Sequence, residues 1–267
     1  MYLDRGISQS SEAFCLRLLS RVLQLEKIGD KALGKVPRAH HNDDLHGAPL
    51  GEKMNTGLHL KAADTIVFIG DSITDAERHR QTYKPLGFGY VHFAGNLLWA
   101  KHTELNLSIV NTGVSGDTIR DMECRWEKDC IAHRPNVVSI LVGINDVWQL
   151  AMEPEMAETA AGLNEYEVTL NELLSRTREQ CNCQFVLMEP FMFCRDQDNA
   201  VLKTLKPYIE VVNRLAAKYD AVLVPLQHEI DRRIAEIPSQ KWSADMVHPY
   251  LWAHAWIALR WIEATCL

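Results

Sequence analysis

Three short stretches of this chain place reactive or polar residues where an apolar run gives way to a turn, and a fourth places them in a loop before the last helix. The run Thr65–Ile69 is followed by Gly70, Asp71 and Ser72. A serine directly after a buried strand and a tight turn stands at the rim of a sheet. Its hydroxyl is exposed, its own N–H points toward whatever it attacks, and the positive end of a following helix favours developing negative charge. Serines at such junctions more often just cap the helix. The run Leu107–Val110 leads into Asn111-Thr112-Gly113-Val114-Ser115-Gly116-Asp117-Thr118. Gly116 stands just before a helix, where a backbone N–H is unclaimed by intrahelical bonds, and it lacks the Cβ that would hold a ligand away. Ser115 imitates the nucleophile-elbow pattern G-x-S-x-G, but Asp117 takes the place of the last glycine and the pattern fails.

The run Val137–Val142 ends in Gly143-Ile144-Asn145-Asp146. An asparagine there can aim its amide NH₂ into the same rim and donate to an oxyanion; helix capping or an Asx-turn is the equally ordinary use. The fourth stretch is Trp242-Ser243-Ala244-Asp245-Met246-Val247-His248-Pro249. A carboxylate three residues before a histidine can accept from Nδ1–H, leave Nε2 facing outward, and stabilise the imidazolium that forms when the ring takes a proton. Each stretch is weak alone. Together they supply a nucleophile (Ser72), two neutral donors (Gly116 and Asn145) and a base with its orienter (His248 and Asp245), the set needed for acyl transfer through serine.

Those residues need a scaffold that brings them to one edge. After Lys61 the chain alternates five apolar runs, the three above plus Phe185–Met188 and Ala221–Pro225, with helical stretches at Val91–Thr103, Asp117–Cys130, Asn164–Cys181 and Leu205–Tyr219. A last helix follows Pro249, which suits a first turn. Near-continuous Val/Ile/Leu strands separated by helices predict an α/β fold: a three-layer α/β/α sandwich on a flavodoxin-like, five-stranded parallel sheet. In such sheets the reactive loops gather beyond the carboxyl ends of the strands.

The residues Ser72, Gly116, Asn145 and His248, with Asp245 in a D-x-x-H pair, resemble the blocks of the SGNH (GDSL-type) hydrolase superfamily. The stretches FIGDSITDAER, LGFGYV, GVSGDTIRDMECRWEKD, VSILVGINDVW and MVHP are similar to the bacterial acetylxylan-esterase-like carbohydrate acetylesterases. The resemblance implies a serine esterase that removes acetyl groups from a small acylated carbohydrate. In it Ser72 attacks, His248 moves the proton while Asp245 orients its ring, and the Ser72 and Gly116 N–H groups with the Asn145 amide hold the oxyanion. It implies no cofactor and no metal, and members of this branch tend to form homo-oligomers. The alternatives are a lysophospholipase or thioesterase of the same superfamily and, from another class, an inactive sugar-binding module; the filled set of reactive positions disfavours the latter.

The resemblance covers about residues 64–262, so two parts are expected: a helical arm and linker over 1–60 and the hydrolase domain over 61–267. Ser11–Ile28 has one apolar face, and Gly29–Leu60 is rich in Gly, Pro, Asn, Asp and His. His40, His41, Asp43, Asp44 and His46 lie in that linker without a ligand scaffold, which disfavours a metal site. Leu86-Gly87-Phe88-Gly89-Tyr90 misses G-x-G-x-x-G because His92 stands where the third glycine belongs. Trp148 can stack on a sugar or face the core.

Composition narrows the partners. The 267 residues carry 28 Lys+Arg against 35 Asp+Glu, a formal net charge of −7, which argues against nucleic acid and anionic membranes. Asp4, Glu12, Arg17 and Arg21 interrupt any signal-peptide core, and the charge-free apolar runs of about ten residues are half of what a bilayer crossing requires. Seven cysteines, most inside regular elements, fit reduced thiols and a cytoplasmic location.

Overall fold

The computed structural model describes residues 57–78, 84–152, 158 and 160–267. The chain divides into Met1–Lys53 and Met54–Leu267, and the second unit is the one described. The expected helix at Ser11–Ile28 and the histidine-rich linker segment lie outside the described residues.

Five strands, β1 (Thr65–Gly70), β2 (Ser108–Asn111), β3 (Val137–Leu141), β4 (Gln184–Met188) and β5 (Val222–Val224), form one parallel sheet in the order β2-β1-β3-β4-β5. The doubly wound sheet expected from the alternating runs is therefore present. Burial follows position: Ile66, Val67, Phe68 and Ile69 of central β1 are fully buried, whereas edge β2 alternates. A strand covered on both faces needs apolar side chains at every position, and an edge strand does not.

The helices are α1 (Ser72–Asp75), α2 (Tyr90–Lys101), α3 (Ile119–Asp129), α4 (Ile144–Met152), α5 (Leu163–Cys181), α6 (Ala200–Lys218), α7 (Leu226–Ile234), α8 (Ser239–Trp242) and α9 (Leu251–Ala264). Helices α2 and α9 pack together, as do α3 with α5 and α6 with both α4 and α5. A capping box fixes the start of α3: the Thr118 side chain takes the Asp121 N–H and the Asp121 carboxylate takes the Thr118 N–H. Helix α6 begins earlier than its expected start at Leu205, because Asn199 caps it through the Leu202 N–H (3.1 Å) and Pro207 is carried inside. Pro207 has no N–H for the Lys203 carbonyl, and Lys203 is exposed, so water can serve that group. No helix among the described residues is long and apolar enough to cross a membrane.

Residues 57–60 run against this body. Leu58 is buried and its N–H donates to the Thr265 carbonyl (3.0 Å); His59 and Gln184 exchange two hydrogen bonds at the head of β4. The C-terminal helix is apolar nearly all round, as its sequence suggests, and buries Ala253, Trp256, Ile257, Ala258 and Trp261. Trp261 packs on Phe68, with ring centroids 5.2 Å apart, and donates from Nε1 to Ser139 Oγ (2.9 Å) in the middle of β3. Ser139 thus answers a buried indole N–H that would otherwise be unpaired. Ser139→Ala should lower unfolding free energy by about 1–3 kcal/mol in urea titrations; a change under about 0.5 kcal/mol would mean that the indole finds another acceptor.

Candidate active site

Strand β1 ends at Gly70 and the chain enters α1 through Asp71. The helix cap is Asp71, not Ser72: Asp71 Oδ1 accepts the Ile73 N–H at 3.0 Å. That frees Ser72 from the capping role its position suggested. Helix α1 has only four residues, so the expected contribution of a helix positive end is largely absent here. Instead the Ser72 hydroxyl meets a base: its Oγ lies 2.9 Å from His248 Nε2, across 176 residues of sequence.

His248 belongs to a loop that is closed on itself. Ser243 and Pro249 form an antiparallel bridge, and the Tyr250 N–H donates to the Trp242 carbonyl (2.8 Å). Between them the backbone passes through the left-handed region at Met246 (φ 68°), whose carbonyl accepts the Phe193 N–H at 2.7 Å. A non-glycine residue there is uncommon, and the turn lets Asp245 Oδ1 accept from the Val247 N–H (2.9 Å), the His248 N–H (2.8 Å) and the Ser243 hydroxyl (2.8 Å). Asp245 Oδ2 then lies 2.6 Å from His248 Nδ1. Burial tends to raise the Asp245 carboxyl, but hydrogen bonds from the His248 ring, the two N–H groups and the Ser243 hydroxyl outweigh it and hold it well below the usual carboxylate range. An ionised Asp245 at neutral pH fixes the proton on Nδ1 and leaves Nε2 to accept from serine.

Gly116 and Asn145 stand after β2 and β3, the two strands that flank β1. Gly116 has φ +88° and a Cβ built there would meet nothing within 4 Å, so the residue is a glycine for its backbone conformation and leaves its face open. Neither its N–H nor that of Ser72 has a partner among the described residues. Asn145 lies in the first turn of α4 and donates from Nδ2 to the Asp117 carbonyl (2.9 Å), leaving the second amide hydrogen without an acceptor among the described residues. Gly143, with φ +125°, makes the turn from β3, and a Cβ there would press on the Tyr166 hydroxyl at 3.1 Å.

Residues to which the sequence reading gave no role in the site hold the loop around Gly116. Ser115, the false elbow serine, donates from both its N–H (3.2 Å) and its hydroxyl (2.8 Å) to Asp75 Oδ2, and Arg78 Nε donates to the Gly113 carbonyl (2.5 Å). From the other side Arg125 Nε reaches Asp117 Oδ2 (2.5 Å). Asp146, next to Asn145, accepts the Ile119 and Ala161 N–H groups and so ties the start of α3 to the segment just before α5. These partners are mostly backbone atoms, which no sequence spacing marks. Trp148 is partly buried against the core. No group of three or more His, Cys, Asp or Glu among the described residues could hold a metal ion.

A family model described as GDSL-like lipase/acylhydrolase matches residues 68–256. The acetylxylan esterase of Geobacillus stearothermophilus is 35% identical over 205 residues, which is 75% of this chain and 93% of that one. Among solved structures, Axe2, the acetylxylan esterase of that organism, superposes with a TM-score of 0.75 at 34% identity, covering 79% of this chain and 97% of its own. LAE5, an α/β hydrolase from the Lake Arreo metagenome, gives 0.74 at 32% identity, covering 78% and 97%. Catalytic mutants of Axe2 replace a serine, and an aspartate and a histidine three positions apart, by alanine. The chain belongs to the GDSL-like lipase/acylhydrolase family. It is a carboxylic ester hydrolase.

One buried group gives the site a pH signature. Burial lifts the Asp71 carboxyl to about 7, against the lowering by the Ile73 N–H and the nearby His248, and its Oδ2 meets no donor. A carboxyl raised in the folded state binds its proton more tightly folded than unfolded, so stability falls as pH rises from about 4 to about 7. Asp71→Asn carries no such charge. Its Tm relative to wild type should climb across that window and level off above it; a difference independent of pH would show that Asp71 stays ionised.

Proposed function

We propose that this protein removes short acyl groups, acetyl first among them, from carbohydrate esters through a covalent acyl-serine intermediate. The observation that carries the proposal is the continuous contact from Asp245 Oδ2 to His248 Nδ1 (2.6 Å) and from His248 Nε2 to Ser72 Oγ (2.9 Å). In the proposed cycle His248 takes the Ser72 proton as Oγ attacks the ester carbonyl. The tetrahedral oxyanion is held by the N–H groups of Ser72 and Gly116 and by the Asn145 amide. His248 returns the proton to the departing alcohol, and water, activated by the same ring, then releases the acid and restores Ser72.

Two features support a carbohydrate ester. The relatives at 34–35% identity act on acetylxylan by name. The His248 and Asp245 side chains are 59% and 52% exposed, an open site that a bulky hydrophilic substrate can reach. Tyr250, two residues past His248, is itself exposed and offers a flat ring to a sugar. Cytoplasmic residence and a homo-oligomeric assembly belong to the same proposal. They are supported by free thiols at all six described cysteines and by the exposed Tyr250, Leu251 and Trp252 at the start of α9.

Ser72→Ala should abolish turnover of a small acetyl ester with Tm unchanged, and wild-type-like turnover would end the assignment. Asp245→Asn should lower kcat by on the order of 10³–10⁴ by disfavouring the productive tautomer; unaltered kinetics would mean that another group orients His248. Acetate release across acetylated oligosaccharides and acyl esters of increasing length should fall steeply beyond propionyl. A profile rising toward long chains would instead favour the lysophospholipase or thioesterase reading.

A further inference from the structure

One side chain collects the ends of three site loops. Arg125, on α3, donates from Nη2 to the Gly70 carbonyl (3.0 Å), from Nη1 to the Thr112 carbonyl (2.6 Å) and from Nε to Asp117 Oδ2 (2.5 Å), with Asp129 Oδ2 a further 3.2 Å from Nη1. The first three contacts border proposed oxyanion donors. Gly70 lies two residues before Ser72. Thr112 and Asp117 bracket the loop that presents Gly116. The Asp117 carbonyl receives the Asn145 amide at 2.9 Å. Only 15% of the guanidinium-bearing side chain is exposed, so these bonds act in a medium less screened than water.

We propose that Arg125 is a positioning residue for the oxyanion hole: it fixes the spacing of the Ser72, Gly116 and Asn145 donors without touching substrate. Donors that stabilise a tetrahedral intermediate must sit where the oxyanion will be, and a shift of a few tenths of an ångström weakens them together. A planar, forked cation can span two carbonyls and a carboxylate at once. A lysine ammonium, a point charge on a flexible stem, cannot. Asp117 completes the device, because its carboxylate holds Arg125 while its carbonyl holds Asn145. Arg125 makes no contact with His248 or Asp245, so it reaches the base only through the loop that carries Ser72.

The inference rests on Ser72 being the nucleophile, and the experiment separates the two. The full chain is first treated with a fluorophosphonate and the labelled residue mapped. Arg125→Lys, Arg125→Gln, Asp117→Asn, Asn145→Ala and the Arg125→Lys/Asn145→Ala double variant are then compared in Tm, in kcat and KM on p-nitrophenyl acetate, and in inhibition by a boronic acid that forms a tetrahedral serine adduct. Folded Arg125→Lys should lose about tenfold or more in kcat, up to the 10²–10³ typical of losing one donor outright, with KM within about twofold. Boronate affinity should fall in step with kcat/KM, and the pH midpoint of kcat/KM should stay put. The double variant should lose less than the product of the single losses, since both act on one cluster. Should the Arg125 variants not fold, Asp117→Asn carries the test, with a smaller loss of the same pattern expected.

Overturning results are equally plain. Kinetics within about threefold of wild type in a folded variant, or losses that multiply with Asn145→Ala, would reduce Arg125 to a structural ion pair. A wild-type enzyme unlabelled at Ser72 would remove the catalytic reading and this inference with it. Labelling at Ser72 with unaffected Arg125 variants would remove the inference alone.

Discussion

The chain winds outward from β1 to β2, then returns past β1 to β3, and that reversal decides where chemistry can occur. Connections on either side of the switch leave toward opposite faces of the sheet, so a crevice opens at the carboxyl ends of the strands between them. Ser72, Gly116 and Asn145 follow three strands that are immediate neighbours, each within a few residues of its end. Parallel strands alone allow this, because their carboxyl ends share an edge. An antiparallel sheet would send alternate loops to opposite edges.

The crevice is bordered by carboxyl groups, which at first sight suits an oxyanion badly. Asp71 and Asp146 are both buried and both lifted to about 7, chiefly by burial, and the nearby Asp71 adds to the rise at Asp146. A protonated carboxyl still has a carbonyl oxygen that accepts hydrogen bonds. Asp71 can therefore hold the Ile73 N–H, and Asp146 the Ile119 and Ala161 N–H groups, while carrying only part of a full charge near neutral pH. Under the proposed mechanism this reconciles two demands: the loops are tied by acceptors, and no full negative charge stands one residue from the attacking oxygen. Asp117 follows the other route, its carboxylate answered by Arg125.

Sequence alone located the five strands within a residue or two, because buried parallel strands leave continuous apolar runs, and it fixed the winding order through the helices between them. It placed the start of α6 too late, at Leu205, and it left α4, α7 and α8 unmarked. Those three are short, nine residues or fewer, so the periodicity of a helix has little room to show. The types of the candidate residues were legible for a different reason: serine and asparagine after apolar runs, with a D-x-x-H pair before the last helix, are unusual in combination. The residues that brace them were not. Arg125 and Arg78 bind carbonyls of Gly70, Thr112 and Gly113, and a backbone carbonyl has the same chemistry in every residue.

His248 differs from the other candidates in not being mounted on the sheet. Its loop is pinned through Trp242, which is fully buried, stacks on Phe193 (5.3 Å between centroids, 20° between planes) and packs edge-on against Trp256 of α9 (5.1 Å). The 2.9 Å contact between Ser72 and His248 therefore joins two separately supported parts, one set by the sheet and one by an aromatic cluster on the C-terminal helix. A second strut runs between them: His254 of α9 accepts the Tyr90 N–H through Nδ1 (3.2 Å), and the Tyr90 hydroxyl meets Thr74 Oγ1 (3.1 Å) in the one-turn helix that carries Ser72. Burial, then the charge of His248, lowers His254 to about 4, so the ring stays neutral and keeps the lone pair that bond requires. The α2–α9 packing that completes one layer of the sandwich also sets the distance between the serine and its base. The fold and the candidate site are in that sense one packing problem, with the last helix as essential to the site as the strand that precedes Ser72.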